Sequence, residues 1–486
     1  MTDPRTHVRA ALAAFEARNR DAAAAEIRTL LAMNAPLGNT WGQLSRMAAL
    51  LGEARLAVEA ARRHAGATPD DPGRQLELAA ACARFGREEE ALAVAKGVAA
   101  RNPTLPGAHY LVGLSYAHLG ETEPALASLR EAIRIRPDVG DAWVVLATLK
   151  KFAADDPELQ KLRALCESQP MSVPEVQGSL HLALGKAWDD VGDVDRAFAA
   201  YATGARVYAQ KQPYNPGLDE AFASALTKTY DKNFEASLAP SGNASDRPIF
   251  VVGLPRSGTT LLQEILTAHS AVSSGGEPNL LGPALMELED RLTPVEIRRH
   301  VQSERGAGVW ARGAASYLHL LNERFGGEGR IVDKSLSHSP IVGLIRHVLP
   351  KAPVLWIRRD PADIAWSCFR TRFAEGMTWS WSLTGMARRF RVEDQLYDFW
   401  TQYLGDQVLT IPYEGLVNDP ETWIPKVLAH CGLADEPGTR SFHTLKRVVK
   451  TASMAQVRQP LHNRSVGGWR RYEKHLEPFL RTYRGG

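Results

Sequence analysis

The sequence contains few cysteines, and those it has lie far apart. Four occur in 486 residues, at positions 82, 166, 368 and 431, and no two form a C-x-x-C pair. Neither a disulfide framework nor a zinc site is therefore indicated, and we expect no bound metal. Scattered free thiols are typical of a reducing compartment, so we expect a cytoplasmic protein.

Long apolar runs are also missing. No uninterrupted stretch approaches the ~20 residues that span a bilayer, and residues 1–20 lack the apolar region of a secretory signal. Charge of one sign is not in excess either, since 58 basic and 55 acidic side chains give a net charge of +3. These absences argue against a transmembrane segment and a nucleic-acid partner.

Alanine is distributed unevenly along the chain. Residues 1–150 contain 35 alanines, whereas residues 301–450 contain 11. Small residues at this density favour helices that pack closely on one another. The composition therefore predicts a helical first half and a mixed second half.

The first half repeats with a period of 34 residues. Three residue types keep this register: Gly52, Gly86 and Gly120; Ala57, Ala91 and Ala125; Pro69, Pro103 and Pro137. Glycine permits a tight turn between helices, alanine lets them approach, and proline ends the unit. This period is that of tetratricopeptide repeats, which stack into a curved solenoid.

We therefore predict an all-α tetratricopeptide domain with its linker over residues 1–240. The clearest repeats lie at 38–171, and a looser copy lies at 175–210. A cluster of Ser, Gly and Asn at 241–245 marks the linker to the second half. The array is either a surface that recognises a polypeptide or a structural appendage, which could form a homodimer.

A phosphate-binding loop is predicted just after this linker. Residues 249–252 are an apolar run typical of a buried strand, 253–260 read G-L-P-R-S-G-T-T, and 261–266 have a helical pattern. The spacing is that of G-x-x-x-x-G-K-[ST], with Thr259 in place of the lysine. Because that lysine reaches the β/γ-phosphates of a nucleoside triphosphate, its absence argues against a kinase or NTPase.

Residues 250–262, F-V-V-G-L-P-R-S-G-T-T-L-L, resemble the 5′-phosphosulfate loop of sulfotransferases that use 3′-phosphoadenosine 5′-phosphosulfate (PAPS). The resemblance covers about residues 247–475. It implies an α/β P-loop-like, three-layer domain over 241–486 with a central parallel sheet, PAPS as the donor, and no metal. The implied contacts with the 5′-phosphate come from the loop: Arg256, Ser257, Gly258, Thr259 and Thr260.

Further donor contacts follow from the same resemblance. Arg359, after a second apolar strand, and Ser367, eight residues later, match the family's 3′-phosphate motif. An arginine fork and a hydroxyl suit a phosphate. The remaining matches to segments near the nucleotide are Tyr413, Ser453, Arg464, Ser465 and Trp469, and Trp469 is expected to stack on adenine.

The resemblance also implies the catalytic residues. Glu277 matches the catalytic glutamate of tyrosylprotein sulfotransferases, although Asn279 stands where those enzymes have an arginine. A carboxylate in this place can take the acceptor's proton, and His338 is the alternative base. Lys334 and Arg256 are expected to stabilise charge on the leaving phosphate.

The resemblance favours a protein tyrosine as the acceptor, presented by the repeat array. Saccharide, lipid and small-molecule hydroxyl groups stay open as acceptors. Two other functions also stay open: a P-loop kinase or NTPase, and a tetratricopeptide scaffold with an inactive nucleotide-binding domain. Binding of the spent donor separates the scaffold from the enzyme.

Overall fold

The computed structural model describes residues 3–168, 173–288, 293–301, 308–373, 376–444 and 461–485. In these ranges, helices alone precede residue 248, and strands and helices alternate after it. The predicted fold class, a helical array followed by an α/β domain, is confirmed.

The N-terminal part is a series of helices that pack as neighbouring pairs. Gly120 ends one of them with φ of +87°, and the repeat-related Gly52 and Gly86 have φ of +78° and +86°. Glycine adopts this left-handed conformation without strain, which explains its place in the repeat. The helices are α1 Pro4–Glu16, α2 Arg20–Ala32, α3 Thr40–Leu50, α4 Ala54–Gly66, α5 Pro72–Arg84, α6 Glu88–Arg101, α7 Pro106–Leu119, α8 Thr122–Ile135, α9 Gly140–Leu149, α10 Pro157–Glu167, α11 Pro174–Val191, α12 Val194–Lys211, α13 Pro216–Thr229 and α14 Lys232–Ala236.

A parallel sheet with strand order β2-β3-β1-β4-β5 follows. Phe250 of the central strand pairs with Asp333 on one side and Val354 on the other. The central strand is buried throughout, as expected for a parallel strand that is covered on both faces. The strands are β1 Pro248–Val252, β2 Val272–Ser274, β3 Arg330–Asp333, β4 Val354–Arg358 and β5 Val408–Pro412.

Helices cover both faces of this sheet and make three layers. Phe250 and Val252 face one hydrophobic cluster, and Ile249 and Val251 face another, because side chains alternate along a strand. No helix in the described ranges is long and apolar enough to cross a membrane. The helices are α15 Thr259–Thr267, α16 Leu281–Ala284, α17 Pro294–Val301, α18 Val309–Phe325, α19 Val342–Val348, α20 Pro361–Phe369, α21 Leu383–Leu404, α22 Tyr413–Asn418, α23 Pro420–His430 and α24 Glu473–Arg484.

Helices α13 and α14 pack into the core of the sheet. Ala223, Leu226 and Phe234 belong to the same buried cluster as Phe250 and Val252 of β1. These two helices precede residue 240, yet their apolar side chains are buried with those of the sheet. The domain boundary near residue 240 stays a prediction.

The helical array contacts the sheet domain at several places. Toward its N-terminal end, the buried Glu53 lies 3.3 Å from Nε2 of His319 on α18. Toward its C-terminal end, the Tyr472 hydroxyl donates to Asp189 of α11 at 2.6 Å. Between them, Arg372 pairs with Asp141 of α9 at 3.1 Å, so the array is attached to the sheet domain along much of its length.

Candidate active site

The predicted site residues that follow the five strands lie at one place in the fold, the carboxyl edge of the sheet. The loop 253–258 follows β1, Glu277 lies after β2, Lys334 follows β3, Arg359 follows β4 and Tyr413 follows β5. Because parallel strands end at the same edge, residues far apart in the sequence meet there. The structure therefore gathers the predicted residues on one side of the sheet.

The loop after β1 is shaped to approach an anion closely. Gly253 and Gly258 have φ of +146° and +110°, and Arg256 between them has φ of +68°. A left-handed conformation costs a non-glycine residue about 1–2 kcal/mol, so surrounding contacts must hold Arg256 in place. The loop leads into the N-terminus of α15, whose dipole favours negative charge. The predicted phosphate contacts lie together at this turn: Ser257, Gly258, Thr259 and Thr260.

Ser257 is the buried hydroxyl of this loop. Its side chain is 1% exposed, and its Oγ has no hydrogen-bond partner in the described part of the chain. A Cβ on Gly253 would lie 3.0 Å from this Oγ and 2.7 Å from the carbonyl oxygen of Ile357, so only glycine fits there. A buried polar atom without a partner costs about 1–3 kcal/mol, and a bound anion would remove that cost.

Arg359 holds the loop from the end of β4. Its Nη1 donates to the carbonyl oxygen of Arg256 at 3.1 Å, and its Nη2 donates to that of Ser465. Its guanidinium also lies 4.5 Å from the ring centre of Tyr413. The first contact explains how the left-handed conformation of Arg256 is kept. Its buried Nε has no partner among the described residues.

Arg256 and Ser367 meet at the side of this loop. Arg256 Nε donates to Ser367 Oγ at 2.9 Å. Burial, together with the nearby cations Arg370 and Arg359, lowers the pKa of the Arg256 guanidinium to about 10. An anion bound here would offset the repulsion among these cations. The two residues predicted for a 3′-phosphate, Arg359 and Ser367, thus both contact Arg256.

The C-terminal segment is tied to this group by Asp363, which the sequence analysis did not single out. Its carboxylate accepts the N–H groups of Gly467 at 2.7 Å and Trp469 at 3.1 Å. It also lies 3.6 Å from Arg359. The available signal was an aspartate in the first turn of the helix that begins just after Arg359.

The remaining predicted contacts differ in their surroundings. Ser465 Oγ lies 2.8 Å from the Tyr413 hydroxyl, so these two predicted residues meet. Trp469 is buried in the cluster formed by α20 and α24, and its stacking on adenine stays a prediction. Arg464 is exposed, and Ser453 lies outside the described residues.

Glu277 and Lys334 form an ion pair after β2 and β3. Lys334 Nζ lies 2.5 Å from Glu277 Oε1, and the lysine is 1% exposed whereas the glutamate is 39% exposed. The backbone joins the two loops, since the N–H of Lys334 donates to the carbonyl oxygen of Gly276 at 3.0 Å. A substrate can therefore reach the carboxylate, while the ammonium beside it is fixed.

A buried polar network supports this pair from behind. Asp333 is fully buried and accepts the hydroxyls of Tyr317 at 2.8 Å and Ser335 at 2.6 Å. Nε2 of His338, the alternative base, lies 3.9 Å from Asp333 Oδ1. Burial lowers the pKa of His338, although Asp333 opposes this effect, so the surroundings favour the neutral imidazole.

This strand-edge site lies within a stretch that matches a known family. Residues 248–437 match the model of the sulfotransferase family. The match covers less than half of the chain. It contains the phosphate loop, Glu277, Lys334, Arg359 and Tyr413, so the resemblance predicted from the sequence is confirmed. Helices α1–α14 and the C-terminal segment lie outside the matched residues.

A curated relative extends over both parts of the chain. An uncharacterized protein of Aquifex aeolicus (strain VF5) is 29% identical over 350 residues, which are 70% of this chain and 45% of the relative. The chain thus spans less than half the length of this curated relative.

Solved structures with detectable likeness include sulfotransferases and a repeat protein. The sulfotransferase domain of the Synechococcus PCC 7002 olefin synthase is 21% identical over 47% of this chain and 89% of that chain, with a TM-score of 0.36. A sulfotransferase from Mycobacterium avium is 16% identical over 68% of this chain and 95% of that chain, with a TM-score of 0.31. A thermophilic TPR protein of Thermus thermophilus is 22% identical over 39% of this chain and 98% of that chain, with a TM-score of 0.28. These likenesses are too weak to bear on function.

Proposed function

We propose that the chain transfers a sulfuryl group from PAPS to the hydroxyl group of an acceptor. The observation that supports this most is the Glu277–Lys334 ion pair, which shares a sheet edge with a phosphate loop. Thr259 in place of a lysine suits a donor with one 5′-phosphate rather than a triphosphate. The family match of residues 248–437 supports the same class of reaction.

The residues at the sheet edge fit a donor that carries two phosphate groups. In the described ranges, Ser257 Oγ and Arg359 Nε are buried without a hydrogen-bond partner, and each can bond to a phosphate oxygen. Under the proposal, residues 257–260 and the N-terminus of α15 hold the 5′-phosphate. Arg359 and Ser367 hold the 3′-phosphate, and Arg256 contacts both of them.

The catalytic roles follow from the positions of three charged groups. When bound, PAPS supplies a sulfuryl group on a phosphate leaving group. Glu277 accepts the proton of the acceptor hydroxyl as its oxygen attacks sulfur. Lys334, fixed 2.5 Å from that carboxylate, stabilises the negative charge that develops on the leaving phosphate oxygen. Arg256 adds a second cation from the loop.

The acceptor in this proposal is a tyrosine of a polypeptide, and the repeat array is the surface that binds the polypeptide. Two points support this finer statement. Glu277 occupies the position of the glutamate in tyrosylprotein sulfotransferases. A curved helical array offers an extended surface of the kind that binds peptides.

The central test replaces Glu277 by glutamine, which keeps its size and removes its basicity. We expect turnover to fall by about 10²–10⁴-fold. The affinity for 3′-phosphoadenosine 5′-phosphate, the spent donor, should stay unchanged in calorimetric titration. Glu287→Gln is the matched control, because Glu287 is a partly exposed glutamate that pairs with Arg312 and not with Lys334.

The outcomes separate the proposal from its rivals. Unchanged turnover in Glu277→Gln would show that the base is wrongly assigned, and His338→Asn would then be tested for the same role. Binding of Mg²⁺-ATP without binding of the spent donor would favour a kinase or NTPase. A chain that binds neither nucleotide would favour a scaffold.

A further inference from the structure

We infer that Phe222 of α13 completes the acceptor pocket and that this pocket takes a phenol rather than a sugar. The inference rests on the proposed sulfuryl transfer, because it assigns the pocket to the second substrate of that reaction. The feature that carries it is a cavity of about 320 Å³ lined by side chains of α13, α16 and the loop after β3.

The cavity lies between the two loops that carry Glu277 and Lys334. Asn279 and His338, one from each loop, line it. The N–H of Asn279 donates to Ser335 Oγ at 2.9 Å, and its Nδ2 donates to the carbonyl oxygen of Glu277 at 3.3 Å. Asn279 thus joins both loops at the cavity wall. Asn279 is two residues from Glu277 in the chain, so the cavity adjoins the loop that carries the carboxylate.

The walls of the cavity are mainly apolar. Phe222, Leu281, Pro340 and Ile341 form them. Small-ligand pockets measure roughly 300–1,000 Å³, so this one suits a single ring. A sugar would bury several hydroxyls against these walls, and each unpaired hydroxyl would cost about 1–3 kcal/mol. An aromatic ring has no such groups to bury and packs well against the edge or face of Phe222.

His338 is the buried polar residue of this wall. The side chain is 2% exposed, and among the described residues its Nδ1 has no hydrogen-bond partner. Its ring packs at a steep angle against Phe250, 5.3 Å between centres, which limits its rotation. The other polar residues of the wall, Asn279 and Ser337, are exposed. A phenol, an apolar ring with a single hydroxyl, brings far fewer polar groups against these walls than a sugar does.

Phe222 comes from outside the sulfotransferase-family region, yet its helix is firmly placed. Ala223 and Leu226 of α13 are buried in the core of the sheet. Arg388 of α21 donates to both carboxylate oxygens of Glu220, at 2.7 and 2.6 Å. The position of Phe222 is therefore set by packing before any ligand binds. It is a specificity-determining residue that the family region alone does not supply.

The test measures binding rather than turnover, so it does not depend on the proposed chemistry. The probe is 4-methylphenol, the side chain of tyrosine, titrated by saturation-transfer NMR into the full chain saturated with the spent donor. We expect Phe222→Ala to weaken its binding about tenfold or more, because an aromatic contact is lost. Phe222→Trp should weaken it too by filling the pocket, without leaving a cavity in the fold. Leu218→Ala on the same helix is the control, since Leu218 is 53% exposed and should change nothing.

Two results would overturn the inference. One is equal binding of 4-methylphenol by Phe222→Ala, Leu218→Ala and the unaltered chain. The other is methyl glucoside binding as tightly as 4-methylphenol. A tyrosine-containing peptide that binds more tightly than 4-methylphenol would support the pocket and identify a polypeptide as the source of the phenol, and a peptide that binds less tightly would support a small phenol. Failure of the proposed function would appear separately, as absence of binding of the spent donor to the unaltered chain.

Discussion

Replacing Arg359 by lysine tests whether its guanidinium fork, rather than its charge alone, organises the donor site. Nη1 and Nη2 bond to the carbonyl oxygens of Arg256 and Ser465, and the buried Nε is left to bind a phosphate. Lysine keeps the charge but has a single nitrogen, so it cannot make these contacts together. A hydrogen bond to a charged group contributes about 1.5–3 kcal/mol. A net loss of about 2 kcal/mol would weaken binding of the spent donor roughly 30-fold.

Arg358 provides a closely matched control for this prediction. Its guanidinium lies 4.5 Å from the ring centre of Tyr397 and pairs with Asp394, much as Arg359 lies 4.5 Å from the ring centre of Tyr413. Calorimetric titration with the spent donor should therefore give unchanged affinity for Arg358→Lys and weaker affinity for Arg359→Lys. Equal affinities of the two variants would refute the role of the fork.

Three further predictions test the loop, the C-terminal segment and the buried imidazole. Gly258→Ala should lower Tm and abolish binding of the spent donor, because at φ +110° the new methyl group meets the Tyr413 ring. Gly276 has a φ of +64° and open space around it, so Gly276→Ala should cost only about 1 kcal/mol of backbone strain. If Gly276→Ala lowered Tm and donor binding as much as Gly258→Ala, the steric argument would be contradicted. Asp363→Asn removes the charge that holds two N–H groups of the C-terminal segment, so limited proteolysis should cut that segment faster; cleavage at the original rate would count against this contact. Burial lowers the pKa of His338 below the ordinary value of 6.5. As the pH falls below 6.5, the unfolded chain therefore binds more protons than the folded chain, and the free energy of unfolding decreases. His338→Asn should therefore flatten the fall of Tm from about pH 7.5 to about pH 5, and an unaltered slope in calorimetry would refute the buried neutral imidazole.

The phosphate loop and the strand-end residues could be predicted because their signals are local. A short apolar run followed by glycine and a helical pattern marks a strand, a turn and a helix within twenty residues. Lys334 and Arg359 each follow such a run, and parallel strands place their carboxyl ends at one edge. The helical repeat was equally accessible, since it depends on a spacing that the chain displays directly.

The rest of the site depends on contacts between distant parts of the chain. Asp363 accepts hydrogen bonds from the N–H groups of Gly467 and Trp469, more than one hundred residues away. The sequence around Asp363 contains no pattern that predicts these two bonds. Phe222 lies on an ordinary amphipathic helix, and only the packing of that helix against the sheet brings it to the pocket. The left-handed conformation of Arg256 likewise depends on Arg359.

The attachments of the helical array to the sheet domain have a mechanical consequence. Each repeat of a solenoid contacts only its neighbours, so an array that is free at one end bends and stretches easily. Here Glu53 contacts His319, Asp141 pairs with Arg372 and Asp189 accepts from Tyr472, so the repeats from Glu53 to Asp189 are attached at several points. Bending is then suppressed, and the distance from each position on the array to the sheet edge is fixed. A polypeptide bound along the array would bring to the sheet edge only those residues that lie a set number of positions from the bound stretch.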